Sequence, residues 1–158
     1  MTDKIKAGGI IHHHKLWLVG VMAAPDRPGL AAAIFRALGQ AGLNAQFIVQ
    51  SIDLNRDSHV QFCVAEEDGD RAMAALGPVA EAVGAKKVTL GGPAAMLAVF
   101  GPDFRERPGI AGLAFEALAR ANVNILAIST SISTVTCVIA ESDAARGIEA
   151  LRGVFDLP

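Results

Sequence analysis

An internal repeat constrains the fold of this chain more than any other feature of its sequence. Residues 26–44 and 106–124 align without a gap, and both runs read Arg-Pro-Gly, then a stretch rich in Ala and Leu, then Asn. A repeat of this kind predicts that one supersecondary unit is built twice. The 158 residues allow either one ordinary domain or two small modules that share a core. The matched pairs are Pro28 and Pro108, Gly29 and Gly109, Phe35 and Phe115, Leu38 and Leu118, and Asn44 and Asn124.

Each copy begins with the same predicted elements. An apolar strand (16–23, then 96–100) leads into an Asp/Glu-Arg-Pro-Gly loop. Proline suits the first turn of the following helix, because its missing N–H would be unpaired at that position. The next residues are apolar at helical spacing, so one face of each helix should be buried. These positions are Leu30, Ala33, Ile34, Ala37, Leu38 and Ala41 in the first copy, and Ile110, Leu113, Ala114, Ala117, Leu118 and Ala121 in the second.

The rest of each copy adds strands and a second helix. In the first copy we predict strands at 45–52 and 60–65, a helix from near Gly69 to Gly84, and a last strand at 86–90. This βαββαβ order is the ferredoxin-like arrangement, an α+β fold whose antiparallel sheet carries both helices on one face and leaves the other face open. The second copy repeats it with strands at 125–131 and 135–140 and a helix from near Asp143.

The second copy is one strand short, because the chain stops just after its second helix. The apolar N-terminal segment Ile5 to His12 is otherwise unassigned. We therefore predict that it pairs into the second copy as the missing strand. The first module, residues 15–91, would then be inserted within the second, residues 4–14 plus 94–158.

Composition excludes several classes of protein. The net charge is −2 and the Lys and Arg residues form no basic face, which argues against a nucleic-acid partner. No stretch approaches the roughly 18 apolar residues of a membrane helix. The polar N-terminus lacks a signal-peptide core, so we expect a cytoplasmic protein with no membrane partner. Cys63 and Cys137 lie in strand-like apolar runs and are expected to be buried, reduced thiols.

No motif of a known catalytic centre stands out. Walker, GxGxxG and HExxH patterns are absent from the sequence, so we expect no catalytic residue and no cofactor. A small ferredoxin-like enzyme stays open as an alternative, because residues that meet only in space leave no trace in spacing.

Three consecutive histidines raise the question of a metal. On a strand only His12 and His14 could point the same way, and the sequence offers no second ligand cluster beyond His59. We interpret them as a solvent-facing strand end and expect no metal.

The repeated units resemble the ACT modules of aspartate kinases. The loop Asp26-Arg-Pro-Gly29, its helix and the run Leu43-Asn-Ala-Gln-Phe-Ile-Val-Gln50 are similar to the first module of those enzymes. The run Asn124-Ile-Leu-Ala-Ile-Ser-Thr-Ser131 and the ending Phe155-Asp-Leu157 are similar to the second. The resemblance extends from about residue 4 and includes no kinase domain. It implies a non-catalytic regulatory subunit, or a free-standing sensor that binds an amino acid at module or subunit interfaces.

Two segments depart from the aspartate kinase pattern. The run Ile132-Ser-Thr-Val-Thr136 lacks the Glu that usually follows the Ser-Thr-Ser motif, and Gly101 to Arg107 differs from the usual second loop. The missing carboxylate weakens the case for lysine as the ligand.

A free amino acid needs an anion site, an ammonium site and a side-chain pocket. Backbone N–H groups at the helix start after Pro28 suit a carboxylate, and Gly29 lets the backbone approach closely. Asp26 can accept a hydrogen bond from an ammonium, and the amide of Asn44 can donate and accept. The candidate ligand-binding residues of the first copy are Asp26, Pro28, Gly29, Leu30, Ala31, Asn44, Ala45 and Gln50.

The second copy offers an equivalent set that could complete a site from a partner: Arg107, Gly109, Asn124, Ile125 and Ser129. The competing interpretation is that each loop only starts a helix, with Asp26 as its cap and Arg105 to Arg107 solvated. We expect a homodimer, through side-by-side sheets or packed module faces, because bare sheet edges favour association. A separate catalytic subunit is a further expected partner. The alternative function is a ligand-independent interaction subunit of a biosynthetic enzyme.

Overall fold

The chain passes twice through the same order of strands and helices. The computed structural model describes residues 3–158, apart from the side chain at position 103. Residues 15–93 form one unit, and the N-terminal residues through His14 form the other together with residues 94–158. The elements are β1 (Ile5–Lys6), β2 (Gly9–Pro25), α1 (Leu30–Gln40), β3 (Gln46–Ile52), β4 (Asp57–Ala65), α2 (Gly69–Val83), β5 (Lys87–Phe100), α3 (Ile110–Arg120), β6 (Ile125–Thr130), β7 (Thr134–Ala140), α4 (Ala144–Val154) and β8 (Phe155–Asp156).

In the unit of residues 15–93, hereafter the first module, the strands lie in the order β3-β4-β2-β5. β4 is antiparallel to both of its neighbours, from Leu16 opposite Ala65 to Pro25 opposite Asp57, and from Gln46 opposite Cys63 onward. Alternate residues of β4 are buried against the helices, which explains why this strand alternates in polarity. The core of this module includes Val19, Val21, Leu30, Ile34, Leu38, Val60, Phe62, Val64 and Leu76.

In the other unit, the second module, β7 is antiparallel to both β5 and β6. The N-terminal residues complete this module. β1 pairs in parallel with β8, with Ile5 opposite Phe155. The N–H of Ala7 donates to the Asp156 carbonyl oxygen at 2.9 Å, and that of Gly8 donates to the Phe100 carbonyl oxygen at 2.7 Å. The buried core here includes Ile5, Leu97, Phe104, Ile110, Leu118, Ile139, Leu151 and Phe155.

The predicted α+β, ferredoxin-like fold with an inserted first module is confirmed. One detail of the prediction is wrong: the N-terminal segment is not a single strand but the short β1 followed by the start of β2.

A second detail of the prediction is also wrong. The strands predicted at 86–90 and 96–100 are not separate elements, because both belong to the continuous β5. Gly91 and Gly92 lie between the two predicted strands. A Cβ at Gly91 would lie 3.1 Å from the Leu18 carbonyl oxygen, so glycine at this position permits close approach of strands.

Candidate functional site

The loop between β2 and α1 presents an open helix start in the first module. Gly29 occupies the N-cap position with φ +92°, a left-handed conformation that glycine adopts without penalty. The N–H of Leu30 bonds to the Arg27 carbonyl oxygen at 3.4 Å, and that of Ala33 bonds to the Gly29 carbonyl oxygen at 2.9 Å. Glycine has no side chain that could cap the helix, so the first-turn N–H groups near Ala31 are available to an anion.

A buried hydroxyl fixes the Asp26 carboxylate beside this helix start. The Ser58 Oγ donates to Asp26 Oδ1 at 2.9 Å, and the Gln50 Nε2 donates to the Ser58 Oγ at 3.2 Å. The backbone N–H of Asp26 donates to the Arg56 carbonyl oxygen at 3.1 Å. The structure thus joins Asp26 and Gln50 through Ser58, while the second carboxylate oxygen of Asp26 can accept from a ligand.

Sequence reasoning missed Ser58, which is fully buried. Its burial could have been predicted from the strand alternation, because Ser58 is in phase with Val60, Phe62 and Val64, the inward-facing residues of β4. A small polar residue in a buried register needs a hydrogen-bond partner. Here those partners are two of the predicted site residues.

The structure separates Asn44 and Ala45 from the rest of the predicted first-copy set. Pro28, Gly29, Leu30 and Ala31 lie at the start of α1, whereas Asn44 and Ala45 follow its end and precede β3. An 11-residue helix is about 16 Å long. The first module therefore does not bring Asn44 to Asp26 within one copy of the chain.

The hairpin between β3 and β4 lies next to Ser58 in sequence and is closed by Asp53. The Asp53 carboxylate accepts hydrogen bonds from the N–H groups of Asn55 at 2.8 Å and Asp57 at 3.1 Å, and it lies 2.9 Å from His59 Nε2. The His59 Nδ1 accepts from the Ala23 N–H at 3.2 Å, so Nε2 is the donor to Asp53. The hydrogen bond from His59, then that from Asp57, hold the pKa of Asp53 below its usual value.

In the second module a cavity of about 230 Å³ opens at the matching loop. Gly109 again occupies the N-cap of its helix, with φ +90°. The Leu113 N–H bonds to the Gly109 carbonyl oxygen at 3.1 Å, so the helix starts in the same way as α1. The residues around the cavity are Phe104, Arg107, Gly109, Ile110, Ala111, Thr130, Ser131, Ile132 and Val135.

The lining of this cavity combines the groups that a small zwitterion needs. Arg107 and the start of α3 suit a carboxylate, and the hydroxyls of Thr130 and Ser131 can accept from an ammonium. Phe104 and Val135 are buried and apolar. The volume is below the roughly 300–1,000 Å³ of sites for drug-sized ligands, which favours a small metabolite.

The equivalent arginines of the two copies have different surroundings. Arg107 lines the cavity, whereas the Arg27 Nη2 donates to the Ala82 carbonyl oxygen at 3.4 Å. Gly109 lines the cavity, and Ser129 immediately precedes its two hydroxyl residues on the chain. Asn124 and Ile125 follow the far end of α3, as Asn44 and Ala45 follow α1. Thr130, Ser131 and Phe104 were not predicted, although the Ser-Thr-Ser run pointed to this end of β6.

The two cysteines are buried in the strands, as expected. Burial raises the pKa of Cys63 and of Cys137 to about 12, so neither carries an appreciable thiolate population at neutral pH. In the described part of the chain, none of the helices is long and apolar enough to cross a membrane.

Comparison with known protein families gives a match in both modules. The family model for the ACT domain matches residues 18–77 and 97–155. An aspartokinase of Mycolicibacterium smegmatis is 31% identical over 99% of this chain. An aspartate kinase of Pseudomonas putida is 32% identical over 90% of it. The chain spans only 38% and 34% of the lengths of these two relatives.

Solved structures match along almost the whole chain. The ligand-free regulatory subunit of aspartate kinase from Thermus thermophilus has a TM-score of 0.84 at 25% identity, covering 95% of this chain and 99% of that one. The aspartate kinase from Synechocystis has a TM-score of 0.89 at 31% identity, covering 97% of this chain and 28% of that one. This chain is therefore similar to the regulatory part of aspartate kinases.

Proposed function

The chain belongs to the ACT domain family, with two tandem copies of the domain, and on this premise we propose that it is a non-catalytic regulatory protein that binds a free amino acid. The observation that carries the proposal is the cavity beside Gly109, where a cationic side chain and a helix start face two hydroxyl residues. The structural similarity to the regulatory subunit of Thermus thermophilus aspartate kinase, which extends over 99% of that subunit, supports the same role.

In the second module, the ligand carboxylate would lie between the Arg107 guanidinium and the first-turn N–H groups of α3. The ammonium would donate to Thr130 and Ser131. The ligand side chain would contact Ile110 and Val135, so a small, uncharged amino acid suits the site better than a basic one. Among the described side chains that line the cavity none is acidic, which agrees with the weakened case for lysine.

In the first module, we propose that a second copy of the chain completes the site. β3 is the outer strand of this module, and Ile48 and Ile52 are 49% and 56% exposed on it. Two β3 strands paired antiparallel would place the start of one beside the end of the other. Asn44 of one copy would then approach the Asp26 end of its partner. A homodimer through this edge would cover the exposed apolar residues and assemble the predicted set.

We further propose that the protein transmits amino-acid binding to the catalytic part of an aspartate-kinase-like enzyme. The relatives are aspartokinases of which this chain covers about a third. The catalytic part would contact the two modules, either as a separate subunit or as another region of the same polypeptide.

A thermal-shift screen of the twenty amino acids, followed by calorimetry, tests the proposal. A ligand at 100 times its Kd stabilises a protein by about 2.7 kcal/mol, which is roughly 5–11 °C for a chain of this size. Arg107→Gln should weaken binding by about 10-fold or more, because a charged hydrogen bond contributes about 1.5–3 kcal/mol. Arg27→Gln is the matched control, since Arg27 is the equivalent residue and has no place in the cavity. The proposal fails if none of the twenty amino acids stabilises the protein.

The second candidate function is a ligand-independent interaction subunit. Leu126, Ile128 and Ile132 are exposed along and just after β6, the outer strand of the second module. Association with a catalytic subunit at an affinity that no amino acid changes would favour this function over sensing.

A further inference from the structure

The histidine run at the start of β2 forms a pair of imidazoles with an unusual contact. The His12 Nδ1 lies 2.9 Å from the His14 Nε2, and the ring centroids are 5.0 Å apart with planes at 75°. Both side chains are exposed, and alternation along the strand directs His13 to the opposite face. Two ring nitrogens therefore face each other at the surface of the second module.

A carboxylate fixes the orientation of one of these rings. The Glu141 Oε1 lies 3.0 Å from the His14 Nδ1. This contact places the hydrogen on Nδ1 and leaves the Nε2 lone pair directed toward His12. A carboxylate behind a histidine in this way is the usual outer shell of a metal-binding imidazole, where it sets the tautomer and raises the basicity of the ligand nitrogen.

The nitrogen separation fits one metal ion bound by both rings. At metal–nitrogen distances of about 2.0–2.1 Å, two nitrogens at a right angle are about 2.9 Å apart, and in a tetrahedral site about 3.3 Å. The observed 2.9 Å is a hydrogen-bond distance, and it equals the separation in the right-angled case, which Cu²⁺ and Ni²⁺ adopt in square-planar or tetragonal sites. A metal ion of this geometry can therefore replace the shared hydrogen with little change in the separation of the two nitrogens. Zn²⁺ would require the rings to open by a few tenths of an ångström.

We propose that His12 and His14 chelate one divalent transition-metal ion, with Cu²⁺ bound most tightly, and that Glu141 positions His14. Binding replaces the hydrogen bond between the rings. The hydrogen of His12 moves from Nδ1 to Nε2, and both rings turn so that the lone pairs of His12 Nδ1 and His14 Nε2 converge on the metal.

Water would complete the coordination, because the side chains that the structure describes include no group of three or more His, Cys, Asp or Glu placed to hold a metal ion. There is room for it, since His12 also lines an open cavity of about 530 Å³ that includes Asp156. The sequence alone indicated a solvent-facing strand end with no metal. The exposure of both rings agrees with a solvent-facing strand end. The structure adds the contact between the two rings and the contact of His14 with Glu141.

Calorimetric titration of untagged protein with CuSO₄ and NiCl₂ tests the site, with MgCl₂ as the negative control. We expect one Cu²⁺ per chain, and an electron paramagnetic resonance spectrum with coupling to two nitrogens. His12→Gln and His14→Gln should each weaken binding at least 10-fold. Glu141→Gln should weaken it by about 10-fold or more, the usual cost of an outer-shell change, with circular dichroism and Tm checking that the fold is intact.

His13→Gln is the matched control, because it removes an imidazole from the same strand but from the other face. It should retain the wild-type affinity and the two-nitrogen spectrum. The proposal is overturned if His13→Gln weakens binding as much as His12→Gln, or if the double variant of His12 and His14 binds Cu²⁺ like the wild type.

Discussion

Replacing Ile5 with alanine measures how much the N-terminal residues stabilise the second module. The Ile5 side chain is 4% exposed and belongs to the same buried cluster as Phe104, Leu151 and Phe155. Truncating a buried isoleucine to alanine costs about 2–5 kcal/mol. β1 has only two residues, so its surroundings can relax around the gap, and we expect a loss near the lower end, about 2–3 kcal/mol.

Urea unfolding followed by circular dichroism gives the free energy directly. With a slope of about 2 kcal/mol/M, the midpoint should fall by about 1–1.5 M. Ile11→Ala is the control, because Ile11 is 48% exposed, and it should change the stability by no more than about 0.5 kcal/mol. Deleting residues 1–13 should cost more than Ile5→Ala and should lower hydrogen-exchange protection around Phe100. Equal midpoints for the Ile5 and Ile11 variants would refute the role of β1 as part of this core.

Three further predictions concern the site and the strands. Asp26→Asn keeps an acceptor for Ser58 but removes the charge that would bind an ammonium, so calorimetry should show amino-acid binding to the first module weakened by about 10-fold or more at unchanged Tm; unaltered affinity would place the ligand elsewhere. Because the pKa of Asp53 is depressed in the folded state, its stabilising contribution is present above its ordinary value of 3.8 and is lost as the pH falls through the lower folded value. Tm measured across this acid range should therefore fall less steeply for Asp53→Asn than for the wild type, and parallel curves would count against the hydrogen-bond network. Finally, the buried thiols of Cys63 and Cys137 should react with a thiol reagent at neutral pH only after unfolding, and fast labelling of the native protein would contradict their burial.

The fold was predictable because the internal repeat and the helical spacing of apolar residues indicate the same elements. The repeat defines one unit twice, and the helical spacing of Leu30, Ile34 and Leu38 matches the face that the structure buries. The strand bounds were less predictable. Gly91 lies between the two predicted strands, but in the structure it permits two strands to approach closely, and local propensity carries no information on that contact.

The candidate site was predictable in its loops and not in its assembly. The helix starts at Gly29 and Gly109 could be identified from the sequence, because Pro-Gly before an apolar helical pattern favours a helix start through local interactions alone. The repeat groups Asn44 with Asp26 because both belong to the same motif, but Asn44 follows the far end of α1. The backbone conformation of Gly29 was not predictable either. Its φ of +92° means that a β-branched residue such as valine would be strained there whether or not a ligand binds.

The two copies keep the same backbone at the loop and differ in the charged group that it presents. In the first module Ser58 and Gln50 hold an aspartate in place, while the loop arginine lies against the end of α2. In the second module the arginine lines the cavity, and the residue matching Asp26 is the exposed Glu106. An amino acid carries both an ammonium and a carboxylate, and in the proposed sites each module would bind a different one of these groups through its charged side chain. The helix start would bind the carboxylate in both modules. The first module would then need a second copy for its remaining polar groups, whereas the proposed site of the second module includes the hydroxyls of Thr130 and Ser131. Under this proposal the shared Arg-Pro-Gly loop starts the helix in both copies, and the residues that differ around it set which groups each site offers to a ligand.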